Sequence, residues 1–503
     1  ALTFLSEVSG SRSVEKEGNM AVSYPYLLLL LLLSISLSIV VFVRKKNLRR
    51  SKLPPGEVGW PVVGETFEFK RVSQSANPES FIHDRMKKHS PKVFRTSLFG
   101  ENMAVFCGAS GNKFLFTNEY KLVTSWWPRS MKKALNYPSS SLVRNPTKEE
   151  LTKKRRILQE ILKPEALRSY VPLMDSMARA HLETEWATHE EVNVFLLLKN
   201  YTFALACRIF MGIDDPDHIT RFSNPFAVLK AGLMSFPINI PGTTMNRSIK
   251  AGKIICEELI AIIKQRKHEL STKTIGSSVN RDLLSSMLLA TDEDGKFMTE
   301  MEICNQILGS LIASHHTTST VISFIVKYLA ELPYIYREVY REQIGIARSK
   351  EPEELLNWDD LQKMKYSWNV ACEAMRLSPP GQGAYREAIT DFTYEGFTIP
   401  KGWKTYWNVY STHKDPKYFP DPEKFDPSRF EGDGPAPYTF VPFGGGPRIC
   451  PGNEYGRLEV LVFMHNVVTR FNLERAIGDD KLVINPNTIA MNGLRVRLLP
   501  RSK

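Results

Sequence analysis

Phe443-Gly444-Gly445-Gly446-Pro447-Arg448-Ile449-Cys450-Pro451-Gly452 is the stretch on which the reading of this 503-residue chain turns. Glycines let a backbone run close to a flat ligand and take turns that a side chain would obstruct. Pro451 and Gly452 open a helical pattern that continues through Leu458 and Val460. A cysteine beside an arginine at a helix N-terminus has its thiolate favoured, which suits it to hold a metal. A cysteine by itself is more often a small buried hydrophobe. Within this frame the ligand reading of Cys450 is the stronger one. The other cysteines, Cys107, Cys207, Cys256, Cys304 and Cys372, lie far apart and form no CxxC pair. That spacing excludes a zinc ribbon and a disulfide framework, and it fits a reducing compartment where a special cysteine works alone.

Upstream, Asp415 to Phe430 is punctuated by Pro416, Pro420, Pro422 and Pro427 and reads as an irregular, meandering loop. Most of the remaining body is helical in pattern, most clearly over 300–332. Thr299 and Glu302 form a capping box there, and Met298 with Ile303 can form a hydrophobic staple. Apolar residues recur through Ile307, Leu311, Val321, Ile325 and Leu329 until Pro333 ends the run. Such a helix is about 50 Å long, enough to cross a domain. Its middle is polar: Ser310, then Ser314, His315, His316, Thr317, Thr318, Ser319 and Thr320. A core-crossing helix with a polar centre faces a site or a cavity; the alternative, a solvated stripe, is disfavoured by the apolar residues on both sides. Strand-like stretches are short: Lys92 to Leu98, Met103 to Phe106, Thr393 to Ile399 and Thr405 to Val409. A single large domain, mainly α with a small β region, is expected.

At the front, Tyr24 to Val43 is almost wholly apolar, broken by Pro25 and three serines, and its 20 residues suffice to span a bilayer core. Arg44, Lys45, Lys46, Arg49, Arg50 and Lys52 follow it and hold the body on the cytosolic side. A cleaved secretory signal would carry its charges in front and a shorter apolar run, so the anchor reading prevails. Residues 1–19 are polar, and Met20 reads as a natural start after a non-native extension; a short lumenal tail is the alternative. Leu53-Pro54-Pro55-Gly56 and Gly59-Trp60-Pro61 make 44–64 a basic, proline-stiffened hinge before a body over 65–503. Hydrophobic residues at 43% and charged residues at 24% exclude wholesale disorder, and a net charge of +12 favours an acidic partner or surface.

The Phe443-x-x-Gly446-x-Arg448-x-Cys450-x-Gly452 pattern matches the haem-binding signature of the cytochrome P450 family, and the chain resembles that family in three further motifs in the same order. Glu373-Ala374-Met375-Arg376 resembles its ExxR pair and Pro427-Ser428-Arg429-Phe430 its PxRF segment. Ala313-Ser314-His315-His316-Thr317-Thr318 stands where its oxygen-activation motif belongs. The resemblance implies the cytochrome P450 fold, preceded by a single transmembrane helix. It further implies a haem b with Cys450 as axial thiolate, framed by Phe443, Gly446 and Gly452. Arg448, Arg155 and Arg386 would pair with the haem propionates. Glu373, Arg376 and Arg429 would form a buried structural triad without a catalytic step, although a Glu and an Arg one turn apart on a helix are usually a surface pair. Two departures stand out: Leu151 occupies the tryptophan position of the WxxxR helix, and His316 the acidic position of the oxygen motif. Thr317 keeps the catalytic alcohol. His316 is either a proton relay, since imidazole titrates near neutrality, or a compromised position. The implied partners are O2, membrane lipid and NADPH-cytochrome P450 reductase, docked against Lys153, Lys154 and Arg156, with no nucleic acid. The implied location is the endoplasmic reticulum membrane.

Phe236-Pro237-Ile238-Asn239-Ile240-Pro241-Gly242-Thr243 and the run from Pro379 through Ala388 and onward to the haem loop resemble the plant triterpenoid oxidases of this superfamily. That resemblance implies an apolar terpenoid substrate, oxidised at a C-28 methyl or at another ring position. Trp126, Trp127, Leu311, Ile312, Gln382, Gly383, Ala384, Ile489, Ala490 and Met491 are the candidate pocket residues, with plain packing as the alternative for the two tryptophans. A haem-thiolate isomerase or dehydratase would need neither O2 nor NADPH, and such enzymes usually lose the helix threonine. A non-catalytic haem-binding protein would suit a membrane anchor with an intact cysteine loop less well.

Overall fold

The buried strand Lys404 to Asn408 makes the middle of the main sheet, and the rest of that sheet is built around it. In this computed structural model the described residues are 26–29, 31, 34–36, 52–75, 77–135, 148–149, 158, 162–272, 282–291, 295–476, 482–484, 488–490 and 493–501. Helices α1 (Thr66–Ser73) and α2 (Ser80–Lys88) precede a hairpin of β1 (Val93–Leu98) and β2 (Glu101–Phe106). Then come α3 (Gly108–Thr117), β3 (Val123–Ser125), α4 (Arg129–Leu135) and α5 (Pro164–His181). Next are β4 (Glu191–Asn193), α6 (Val194–Met211), α7 (Pro216–Leu233), α8 (Thr244–Thr272) and α9 (Leu283–Leu289), which lead to the long α10 (Glu300–Glu331). Helices α11 (Pro333–Ala347), α12 (Trp358–Lys363) and α13 (Lys365–Leu377) run into β5 (Gly383–Ala388), β6 (Phe392–Tyr394), β7 (Phe397–Ile399) and β8 (Lys404–Asn408). The one-turn α14 (Tyr410–His413) opens the meander. The final elements are α15 (Asn453–Arg470), β9 (Phe471–Arg475), β10 (Leu482–Ile484), β11 (Thr488–Ala490) and β12 (Arg495–Pro500).

The main sheet has the order β1-β2-β8-β5-β3, parallel only between β2 and β8. In its register Tyr385 of β5 lies opposite Tyr406 of β8, and their rings stack with centroids 4.8 Å apart. A smaller sheet runs β4-β12-β9. The expected strand over 393–399 is instead two strands joined at Glu395-Gly396, both with positive φ. Such a two-residue turn folds a hairpin back on itself.

Helix α10 begins at the expected capping box: the Glu302 amide donates to the Thr299 hydroxyl at 3.2 Å, and the Thr299 amide donates to Glu302 Oε2 at 2.9 Å. Ile307, Leu311, Ile325 and Leu329 are buried in a core shared with α6, α8, α13 and α15. Pro333 both stops α10 and serves as the first residue of α11, where its missing N–H costs nothing.

Of the expected anchor over 24–43, residues 26–29, 31 and 34–36 are helical and exposed; the others lie outside the described residues. Among the described residues one helix, α6, is long and apolar enough to cross a membrane, and most of it is buried inside the body. The proline segment is docked rather than free from Lys52 onward. The Thr398 amide donates to Lys52 O at 2.8 Å and the Arg95 amide to Pro55 O at 2.8 Å, so this part of the hinge packs on the body.

Candidate active site

Cys450 lies between the single 3-10 turn Gly446–Arg448 and α15, with Gly452 as the N-cap of that helix. The Cys450 amide donates to Phe443 O at 2.9 Å, closing the loop on itself. Two of its glycines are demanded by a neighbour. A Cβ on Gly446, at φ +64°, would meet Phe116 O at 2.2 Å, and one on Gly445 would meet the Phe116 ring at 2.4 Å. The close approach of this backbone is thus to α3. A Cβ on Gly452 would meet nothing within 4 Å, because Gly452 borders a cavity.

That cavity, of ≈ 1260 Å³, is walled by Cys450, Arg448, Phe443 and Gly452 from the loop. Ala313, Thr317, Thr318 and Val321 of α10 line it as well, as do Trp126, Trp127 and Gln382 to Ala384. It exceeds the roughly 300–1,000 Å³ of a pocket for one small ligand, so a flat cofactor and a substrate fit side by side. Three buried donors on its wall have no hydrogen-bond partner: Arg448 Nη2, Trp407 Nε1 and Gln382 Nε2. Buried polar groups are almost always paired, so this wall suits a ligand rich in acceptors. Among the described residues no group of three His, Cys, Asp or Glu is placed to hold a metal ion directly. A prosthetic group carrying its own iron and two carboxylates, held by one cysteine and flanking arginines, fits these residues.

The structure brings Arg386 and Arg448 together through a carboxylate that the sequence pattern did not flag. Arg386 Nε donates to Glu119 Oε2 at 2.6 Å, and Arg448 Nε donates to Glu119 Oε1 at 3.2 Å. Burial lowers the Arg386 pKa, while Glu119 opposes that shift. Arg155, expected beside them, lies outside the described residues.

The polar middle of α10 divides between two faces. Thr317 is on the cavity wall and donates to Ala313 O at 2.7 Å, one turn back. His316 does not share that wall. Consecutive helical residues point about 100° apart, and His316 instead lines a separate space of ≈ 160 Å³ with His315, Lys230 and Ile312. Lys230 Nζ donates to His316 Nδ1 at 3.0 Å. Burial, with His315 and then Lys230 adding to it, holds the His316 imidazole far below its usual pKa, and burial lowers the Lys230 ammonium to about 7. An imidazole kept neutral, facing a different space, is not an acid donor to the main cavity. Of the two readings of His316, this placement favours the compromised position over the proton relay, and its partner Lys230 comes from α7.

The expectations for Leu311 and Ile312 are corrected. Leu311 is fully buried in the helical core, and Ile312 faces the smaller space. Ile489 and Ala490 belong to β11 by their backbone, with side chains outside the described part, and Met491 is outside it altogether. Gln306, Phe236 and Glu459 were missed. Gln306 and Phe236 line the cavity. Glu459, wholly buried on α15, sits beside the hydroxyls of Thr318 and Tyr455. Burial pushes its carboxyl up to about 8, against the restraint of those hydroxyls. Burial thus favours its protonated form.

Glu373, Arg376 and Arg429 meet at one carboxylate. Arg376 grips Glu373 through Nε at 2.7 Å and Nη2 at 2.8 Å, with both side chains fully buried. Arg376 also donates to the carbonyls of His413 and Lys424, and Asp426 donates its amide to Glu373 at 2.9 Å. Arg429 Nε lies 3.4 Å from the same carboxylate. The meander, which lacks a strand or long helix of its own, is tied to α13 by these bonds.

The family profile described as "Cytochrome P450" matches residues 54–499. The chain is 57% identical over 454 residues to the "Beta-amyrin 6-beta-monooxygenase" of Solanum lycopersicum, covering 90% of this chain and 94% of that protein. It is 57% identical over 448 residues to the "Beta-amyrin 28-monooxygenase" of the same plant, at 89% and 93% coverage. The Vitis vinifera "Beta-amyrin 28-monooxygenase" is 56% identical over 461 residues, at 92% and 95%. Among solved structures, the retinoic acid bound cyanobacterial CYP120A1 superposes with a TM-score of 0.81 at 33% identity, covering 90% of this chain and 100% of that one. With its mainly helical fold, small sheets and cysteine loop against a large cavity, this chain belongs to the cytochrome P450 family of haem-thiolate oxidoreductases.

Proposed function

We propose that the chain is a membrane-anchored monooxygenase of a β-amyrin-type triterpenoid, with the C-28 methyl as the carbon oxidised and Cys450 as the axial ligand of haem b. The observation that carries this reading is the ≈ 1260 Å³ cavity, whose largely apolar wall includes both the exposed Val62 and Phe236 and the inner Cys450 and Thr317. Each turnover takes a C–H bond, O2, two electrons and two protons to an alcohol and water. Three rounds carry a methyl to an acid.

Bound through Cys450, haem supplies the iron at which dioxygen is activated, and thiolate donation favours O–O cleavage. The chain's own residues do the rest. Arg448, Arg386 and Arg155 hold the cofactor's carboxylates, while Phe443, Gly446 and Gly452 frame its loop. Thr317 keeps an alcohol at the cavity wall with its hydrogen on Ala313 O. Glu459 sits beside Thr318, inside the wall, where burial favours its protonated form. Trp126, Trp127 and Gln382 to Ala384 shape the space for an apolar ring system. The triad of Glu373, Arg376 and Arg429 has no chemical step. Retention of Thr317 supports oxygen chemistry over isomerisation.

The division into an anchor (24–43), a hinge (44–64) and a catalytic body (65–503) is part of the same reading, with the body docking its own hinge from Lys52 onward. So are an endoplasmic reticulum location, a cytosolic body, and electron supply by NADPH-cytochrome P450 reductase at Lys153, Lys154 and Arg156. An apolar surface supports the membrane placement. Trp60, Val62, Phe67, Phe236, Ile238 and Ile240 are exposed, and the Phe67 and Phe236 rings lie 5.5 Å apart. Exposed apolar patches of this kind mark interaction surfaces.

Co-expression with a plant reductase and a β-amyrin synthase in a microbial host tests this directly. C-28 alcohol, aldehyde and acid are expected, in amounts that depend on NADPH. A 6β-hydroxylated product is the second reading, favoured by the tomato relative of that name at 57% identity. No oxidised triterpenoid from a preparation with intact haem would refute the substrate assignment.

A further inference from the structure

We propose that Glu119 is the positioning residue of the carboxylate-binding wall, gripping Arg386 and Arg448 by their Nε atoms at the cavity that both line and leaving Arg448 Nη2 without a protein partner. The inference rests on the haem reading above. Glu119 is 5% exposed and lies in the short connection between α3 and β3. Its backbone is pinned there: Glu119 bridges Val123, and the following Tyr120, at φ +65°, donates its amide to Val123 O at 2.7 Å. One carboxylate thus joins three segments, the α3–β3 connection, β5 and the cysteine loop.

Its two oxygens are divided, one to each arginine, at 2.6 and 3.2 Å. Arg386 uses a further nitrogen on Tyr385 O at 2.9 Å, and the Arg448 guanidinium lies 5.2 Å from the centre of the Tyr120 ring. Arg448 Nη2 is buried without a partner. Two guanidinium charges against one carboxylate leave a positive charge uncompensated, and a buried unpaired charge is expensive. The missing anion has one place to come from, the cavity. Removal of Glu119 would leave two like charges facing each other, with Arg386 held only by Tyr385 O and Arg448 only by the Tyr120 ring. A fork aimed by its Nε presents its remaining donors in a fixed plane, which suits bidentate capture of a carboxylate.

The test uses the full-length holoenzyme with Glu119→Gln and Glu119→Asp. The first readout is the rate of haem transfer to excess apomyoglobin, and the second is the midpoint potential of the iron by spectroelectrochemistry. Glu119→Gln keeps shape but loses charge, and it sets an amide N–H against one arginine donor. Haem loss about tenfold faster or more is expected, in line with the loss of an outer-shell partner. The potential is expected to rise, because removing a nearby negative charge favours the reduced iron. Glu119→Asp keeps the charge but not the reach to both arginines, so a near-normal potential with intermediate haem loss is expected. Wild-type haem loss and potential in Glu119→Gln would overturn the proposal. Faster loss at an unchanged potential would also overturn it, by assigning the residue to packing alone. If Glu119→Gln does not accumulate folded, Glu119→Asp decides, and a wild-type rate of haem loss there overturns the proposal. Absence of a thiolate spectrum in the unmodified protein would instead refute the haem reading itself.

Discussion

Glu373→Gln changes one oxygen to nitrogen in a side chain with no exposed surface, yet it should be among the most damaging substitutions outside the cavity. Glu373 takes two bonds from Arg376 at 2.7 and 2.8 Å, one from the Asp426 amide at 2.9 Å, and the charge of Arg429 at 3.4 Å. After the change Arg376 stays buried with its charge opposed only by dipoles, those of the retained amide oxygen and of the His413 and Lys424 carbonyls. Leaving one member of a buried pair uncompensated costs about 3–5 kcal/mol, a large share of the roughly 5–15 kcal/mol that holds a domain folded. The internal control is Glu338→Gln, whose partner Arg341 is spaced identically along α11 but exposed; a loss below about 1 kcal/mol is expected there. The assay is the urea midpoint of the holoprotein by circular dichroism, together with the fraction that retains haem. The double replacement Glu373→Met with Arg376→Met removes both charges and should cost less than the single change. A Glu373→Gln midpoint as close to wild type as that of Glu338→Gln would refute the reasoning.

Thr317→Ala should raise the hydrogen peroxide released per NADPH. His316→Ala should leave that ratio near wild type, because His316 faces Lys230 in a separate space; equal uncoupling by the two variants would contradict the placement. Acid should destabilise the fold between pH 6.5 and 3. His413 is fully buried, accepts the Val441 amide at Nε2, and has its pKa lowered to about 3, chiefly by burial and then by Arg376. The unfolded chain takes up a proton below pH 6.5 while the folded chain does not, so stability falls as pH drops through that window, by on the order of 5 kcal/mol at most. His413→Gln, whose amide oxygen can accept the same N–H, should flatten this part of a urea-midpoint-against-pH curve; an unchanged slope would count against it.

The features legible in the sequence were those written at fixed local spacing. The capping box of Thr299 and Glu302, the proline meander and the Cys450 loop each depend on residues a few positions apart, and each is where its pattern placed it. The ExxR pair is local too, but its burial came from motif order, since helical spacing alone describes the exposed Glu338 and Arg341 equally well. Glu119 was illegible because its partners lie 267 and 329 positions away. His316, Leu311 and Ile312 were assigned by motif position, but the rotation of a helix separates close neighbours onto different faces. The glycines of the loop were read as making room for a ligand; Gly445 and Gly446 make room for Phe116, a residue of a distant helix.

The central claim, that Cys450 supplies the thiolate to the iron, is tested most directly by the reduced carbon monoxide spectrum of the holoprotein. The unmodified chain should show the red-shifted Soret band of a thiolate-ligated haem. Cys450→Ala, prepared with haem under the same conditions, should lack that band. A Cys450→Ala protein that retains it would contradict the assignment.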